Sequence, residues 1–263
     1  AYQVYALTIL KEAGLSCEGL TTPGGYGGKN QQNLAISTLQ AVRDVFGTGG
    51  VTHFFRDLFT EKGKSVKPLV LYPSDLDSRD PKCVVSIIGC TGDWFGGWDG
   101  LTPGNPDNFI SEDLLTGRMV DVIESGEPAI MVCHWPGIYF NGGKTGFNIL
   151  KEVVGRLNRR YDNLFWMRLS EISRYWAARE LTSIEIENNR IILRAPFSTP
   201  GLTLRFNRRM KEVGLSYGKG EFKPLFQSDN KTAIKTDSWY SDRSETIVCF
   251  TLKDGLNEIA FSV

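Results

Sequence analysis

The chain has 263 residues, 41% of them hydrophobic and 23% charged, with 30 Lys plus Arg against 30 Asp plus Glu. That composition belongs to a folded globular chain and excludes a largely disordered or collagen-like one. The balanced charge supplies no global positive field to recruit nucleic acid or an anionic membrane, so neither is expected as a partner and a neutral ligand fits better. No apolar run approaches the roughly 20 residues of a membrane span. The N-terminus lacks the basic, apolar and small-residue regions of a signal peptide, and the compartment stays open.

Five cysteines, Cys17, Cys83, Cys90, Cys133 and Cys249, are too sparse for a disulfide scaffold and form no CxxC pair, so thiols are expected. The only histidines are His53 and His134, too few for a zinc site built on two or three of them unless carboxylates or further sequence complete it. No metal ligand is assigned within the chain.

In chain order, residues 2–13 carry Val4, Leu7 and Leu10 at three-to-four spacing, which predicts an amphipathic helix ended by Gly14. Residues 17–22 read as a short strand entering a Gly-rich turn at 23–28. Asn30 is then placed to cap a second helix to about Phe46. Residues 51–55 and 84–89 read as strands, the second so continuously apolar that it suits a parallel sheet buried on both faces. A loop rich in Gly, Asp and Trp covers 90–110, after which Ser111 is expected to cap a helix to about Glu124. Residues 129–133 read as another buried strand, followed by a loop to Gly143 and a helix to Arg160. A short strand at 164–167 and a helix at 170–180, with Ile172, Tyr175 and Trp176 inward, complete this part.

Alternating strands and helices predict parallel α/β architecture. About five strands occupy the first 180 residues, whereas a closed eight-stranded barrel commonly takes ~250 residues. The expectation is therefore most of a (β/α)-barrel lacking its first strands, and an opening helix with no strand before it points the same way. An open sheet with a leading helix is the alternative. Beyond Leu181 the period changes to two, at Ile184, Ile186, 191–194, 202–206, 246–252 and 259–263, with Asn188-Asn189 as a hairpin turn. The chain thus divides into an α/β barrel portion at 1–180 and an antiparallel β-sandwich at 181–263.

Three loops after predicted strands carry candidate chemistry, because ligands of parallel α/β folds bind where such loops converge. The first, at 22–28, has the glycines but not the Lys-Ser/Thr ending of a phosphate loop, and its Tyr26 offers a ring to a sugar. In the second, Asp93, Trp94, Trp98 and Asp99 combine apolar platforms with hydrogen-bond acceptors, a combination suited to polyhydroxylated ligands. The third places His134 just beyond an apolar strand, beside Trp135 and followed by Tyr139 and Asn141. An imidazole there suits general acid or base work, since its unperturbed pKa of ~6.5 lets both forms exist near neutrality. Strand alternation turns Cys133 away from His134 and argues against a thiol nucleophile. His53, near another strand end, is a further candidate for the cleft, with a structural role the simpler reading.

The order of these loops, with the phrases KEAGLSCEGLTTPGGYG, VVSIIGCTGDWFGGWDGL, GEPAIMVCHWPGIYFNGGKTGFNILKEVV and WMRLSEISRYWAA, resembles the polysaccharide deacetylase-like (β/α)-barrel proteins of the glycoside hydrolase/deacetylase superfamily over residues 1–180. The resemblance implies that the 22–26 loop is similar to the family's Pro-aromatic loop, without the usual arginine before the proline. It likens Asp93-Trp94 to the Asp-Trp loop and His134 to the general-acid histidine. The family's Asp-Asp pair and HxxxH metal ligands are absent from this sequence, and the resemblance puts them on a segment preceding Ala1 that would complete the barrel. What it implies for the complete protein is deacetylation of a polysaccharide or glycan assisted by a zinc-like divalent ion, with the chain itself supplying neither the metal nor the base. Two rivals stand beside it: a noncatalytic glycan-binding protein, using the same cleft and the sandwich residues Trp239 and Tyr240, and a glycoside hydrolase using Asp93 and Asp99.

Overall fold

The computed structural model describes residues 1–21, 31–47, 50–93, 104–139 and 142–262. In chain order the α/β part comprises α1 (Tyr2–Glu12), β1 (Gly19–Thr21), α2 (Gln31–Phe46), β2 (Thr52–Leu58), β3 (Leu69–Ser74), β4 (Lys82–Gly89), α3 (Arg118–Glu124), a single turn α4 (Pro136–Tyr139), α5 (Thr145–Arg160) and α6 (Leu169–Leu181). Its sheet has the order β1-β2-β4-β3, with β1, β2 and β4 parallel and β3 antiparallel to β4. No closed barrel is seen among the described residues.

The apolar run of β4 explains the layering. Val84 faces α2, joining Ala35, Leu39 and Phe54, while Cys83, Val85 and Ile87 face the other way onto Ile172, Trp176 and Ala177 of α6. Successive side chains of a strand point to opposite faces, so only a strand covered on both sides reads as continuously apolar. Ile88 and Cys90, at the end of the run, join a third cluster with Phe109, Val122, Val153 and Leu157. Helix α1 packs on α2, through Leu7 against Ala41, Val42 and Val45, with Cys17 and, in β1, Leu20 beside them.

Strand β3 was not signalled by periodicity. Pro73 interrupts its run, and proline is tolerated in a sheet at an edge, which is where β3 lies. Its presence also accounts for a correction: residues 129–133 form no strand. β3 pairs with β4 only from Lys82 to Ser86, and the edge it leaves beyond Ser86 is taken by an extended segment. That segment touches β4's end through Cys90 N–H donating to Ile130 O at 2.9 Å and a single parallel bridge between Asp93 and Val132. Residues 164–167 are likewise not a strand; Phe165 and Trp166 are exposed and no ladder includes them. An apolar run reports a preference for burial, not the presence of a partner edge. Ser111 does not cap a helix either. Its hydroxyl bonds Asp113 and Thr116 in a local turn, and the helix starts only after Gly117.

The C-terminal part comprises β5 (Ser183–Glu187), β6 (Arg190–Ala195), β7 (Thr199–Phe206), β8 (Glu212–Tyr217), β9 (Lys223–Pro224), β10 (Phe226–Gln227), β11 (Ser238–Ser241), β12 (Thr246–Leu252) and β13 (Gly255–Ser262). They form sheets ordered β5-β6-β13-β8-β9 and β10-β11-β12-β7, mainly antiparallel, with β10 parallel to β11. Asn188, at φ +50, makes the expected two-residue turn between β5 and β6. Inward residues of both sheets, such as Leu193, Ile259, Leu202 and Phe250, share one cluster with Trp176 and Ala177 of α6 and with Val85 of β4. Trp239 belongs to that core at 2% exposure and donates its indole N–H to Leu225 O, so it is not an exposed sugar platform.

Candidate active site

The site grows from the end of β4. Gly89 closes the strand where its carbonyl accepts from Phe59 N–H, and the next peptide turns its N–H to Ile130 on the opposite side. The chain then runs through Thr91 and Gly92 to Asp93, where the bridge to Val132 brings the two loops side by side. Two residues past Val132 stands His134. Its Nδ1 lies 2.6 Å from Asp93 Oδ2, and its main-chain N–H donates to the same oxygen at 3.1 Å. An ionised carboxylate can only accept, so the short contact assigns a proton to Nδ1 and leaves Nε2 as the nitrogen not engaged by Asp93. Asp93 is largely buried at 11% side-chain exposure, whereas His134 is half exposed at 49%. A buried carboxylate orienting a solvent-reaching imidazole is the arrangement expected of a positioned general acid or base.

Trp135 and Tyr139 flank the histidine, respectively 77% and 59% exposed. Rings this open, one just before α4 and one at its end, are available to a ligand and contribute little to the core. On the other side of Asp93 a cavity of about 200 Å³ opens between Thr91, Asn108 and Arg118. Cys90, also on its wall, is no nucleophile: burial pushes its thiol up to about 11, and Sγ donates to Ile130 O. The Phe109 wall is anchored from behind by Arg156, which is buried on α5 and donates to Asp107 and to Ile110 O.

Asp93 and His134, 41 positions apart, are thus brought together as expected. Tyr26, Trp94, Trp98, Asp99 and Asn141 lie outside the described residues. His53 is placed elsewhere. It is the second residue of β2, paired with Gly19 and Val85, near the strand end opposite to the one that leads to Asp93. Sequence reasoning passed over Thr91 and Arg118. Arg118 left a signal, a lone cation among residues as apolar as Met119, Val120 and Val122, and all four are buried.

His53 has a structural consequence of its own. Burial lowers its imidazole below the usual 6.5, against a weaker opposing pull from Glu18, and its Nδ1 is buried without a hydrogen-bond partner among the described residues. The unfolded chain takes up a proton near pH 6.5 while the folded chain resists until lower pH, so stability is full above that value and falls as pH drops through it. The urea midpoint of the wild type should therefore fall between pH 7.5 and pH 5.0 by more than that of His53→Gln. Equal falls in both proteins would refute the assignment.

Among the described residues no three of His, Cys, Asp and Glu come together to hold a metal ion. Asp93 and His134 are two groups already bonded to each other. Among the described residues they do not amount to a site for the divalent ion that the resemblance implies. No helix among the described residues is long and apolar enough to cross a membrane. No family model matches the chain, and neither a curated protein nor a solved structure matches it.

Proposed function

We propose that this chain carries the general-acid half of a carbohydrate-active hydrolase that removes acetyl groups from a polysaccharide or glycan, in a (β/α)-barrel of the polysaccharide deacetylase type. The observation that carries the reading is the Asp93–His134 pair at the C-terminal end of a parallel strand. In it Asp93 holds the ring; a water oxygen bonds to the acetyl carbonyl carbon, its proton going to the base that the resemblance puts outside this chain, and protonated His134 gives its Nε2 proton to the departing alcohol or amine as the carbon–oxygen or carbon–nitrogen bond breaks, so that acetate leaves. Trp135 and Tyr139 supply apolar faces against which a pyranose stacks, next to the proton donor. The parallel β1-β2-β4 order and the extended segment that joins the end of β4 support the barrel reading.

The test is direct. Acetate is measured enzymatically after incubation of the full-length protein carrying this chain, with a zinc-like divalent ion supplied, with acetylated xylan, acetylated chitooligosaccharide and their deacetylated counterparts. Release from an acetylated substrate supports the proposal, while binding of both acetylated and deacetylated forms without release favours a glycan-binding protein. That second reading has its own observation, the exposure of Trp135. Trp135→Ala is expected to weaken glycan binding about tenfold, from lost ring contact worth roughly 1–1.5 kcal/mol, with no change in thermal stability. Unchanged affinity in titration calorimetry would remove Trp135 from the ligand surface.

A further inference from the structure

The cavity beside Asp93 contains a cation that the proposed acid–base step does not use. Arg118 is buried at the start of α3, where its Nε donates to Cys90 O at 3.3 Å and its Nη2 to Phe59 O at 3.0 Å and to Lys64 O. Three main-chain carbonyls fix the guanidinium plane but leave its charge unneutralised, for no carboxylate pairs with Arg118 among the described residues. A guanidinium has five N–H donors. Those on Nη1 meet no acceptor among the described residues, and Arg118 lines the cavity. The same wall carries Thr91, which is 3% exposed and whose hydroxyl is buried with no hydrogen-bond partner among the described residues. Buried polar groups are almost always paired, so an unpaired hydroxyl on a residue that lines the same cavity as a guanidinium with no carboxylate partner among the described residues marks a gap that an oxygen-bearing ligand can fill.

We propose that this cavity is a subsite for a compact carboxylate, bound by Arg118 Nη1 and Thr91 Oγ1 beside the Asp93–His134 pair. A volume of about 200 Å³ admits a carboxylate with a short stem but not a large anion. Asp93, the one acidic side chain among the described lining residues, has its Oδ2 committed to His134, and it disfavours a dianion such as phosphate more than a singly charged carboxylate. Two sources share this chemistry: acetate formed in the reaction, and a uronate carboxylate carried by the glycan. The choice between these sources rests on the hydrolase reading. The anion site itself stands on Arg118 and Thr91.

Titration calorimetry of the 263-residue chain with sodium acetate, sodium glucuronate and neutral methyl glucoside tests the proposal. At least one carboxylate should bind at a single site and methyl glucoside should not compete. Acetate binding alone assigns the site to the product; glucuronate binding assigns it to a substrate uronate. Thr91→Val breaks no hydrogen bond among the described residues and so should fold, and it should weaken carboxylate binding about tenfold, as should Arg118→Gln if it folds. Absence of carboxylate binding by the wild type, or unchanged affinity in Thr91→Val, would overturn the subsite. His134→Gln separates this from the hydrolase reading, since it should stop acetate release and keep carboxylate binding. Acetate release by the full-length protein without carboxylate binding defeats the subsite alone, and carboxylate binding without acetate release by the full-length, ion-supplied protein defeats the hydrolase reading alone.

Discussion

His134→Gln is expected to lower the rate of acetate release by about 10²–10⁴-fold, the range that a positioned general acid contributes. Glutamine keeps a polar side chain of similar length but has no titratable nitrogen to give a proton to the leaving group. The loss should appear in kcat with little change in KM, because the proposed function has His134 act on the breaking bond and Trp135 and Tyr139 hold the sugar. Asp93→Asn should lose less, roughly 10- to 10²-fold. An amide oxygen still accepts from Nδ1–H but no longer offers a full negative charge to the imidazolium that forms during turnover. Thermal stability of His134→Gln should stay within about 0.5 kcal/mol of wild type, since the ring is half exposed on a loop. A rate unchanged from wild type in His134→Gln would reject the pair as the reacting centre.

Gly117→Ala should be the most destabilising single-methyl change near the site. Gly117 sits at φ +122, a region L residues rarely enter, and a Cβ built there meets Phe109 O at 2.4 Å, Phe109 C at 2.6 Å and Ile110 Cα at 2.8 Å. All three are main-chain atoms, which cannot rotate aside, and the same Phe109 carbonyl accepts from Met119 N–H at 3.0 Å to close the start of α3. Strain at a disfavoured φ and overpacking add, giving about 3–4 kcal/mol. For a chain of this size that is roughly 6–16 °C in thermal midpoint. Gly126, at φ +73 with nothing within 4 Å of its built Cβ, is the control: Gly126→Ala should cost only about 1 kcal/mol. Equal midpoints for the two variants in calorimetry would show that the backbone around Phe109 yields more readily than its contacts imply. A measurable shift of Arg118 should accompany the Gly117 change, because Arg118 is the next residue and its carbonyl contacts depend on where α3 begins.

Some elements were legible because their cause is local. The β4 run over residues 84–89 announced a strand covered on both faces, and the alternation through Ile259 and Phe261 and the Asn188-Asn189 turn announced antiparallel pairing. In each case the residue pattern reports directly which sides of the chain are buried. Helix α5 was equally plain, with Ile149, Val153 and Leu157 on one buried face. The same reasoning over-read 129–133 and 164–167, where apolar residues lie extended but lack a ladder. It also placed Trp239 on a surface when the opposing sheet covers it.

The sequence by itself determined the mixed α/β class, the change to period-two strands after Leu181, and the candidacy of Asp93 and His134 as chemically capable residues on loops that follow apolar runs. Only the tertiary structure decided that those two side chains meet at 2.6 Å, that His53 faces Gly19 near the other end of the sheet, and that Thr91 and Arg118 close on a common cavity. The physical reason is range. Periodicity and turn chemistry are set by neighbours a few positions away, whereas the Asp93–His134 contact spans 41 positions and exists because β3 stops pairing at Ser86 and leaves the end of β4 open to the segment carrying Val132.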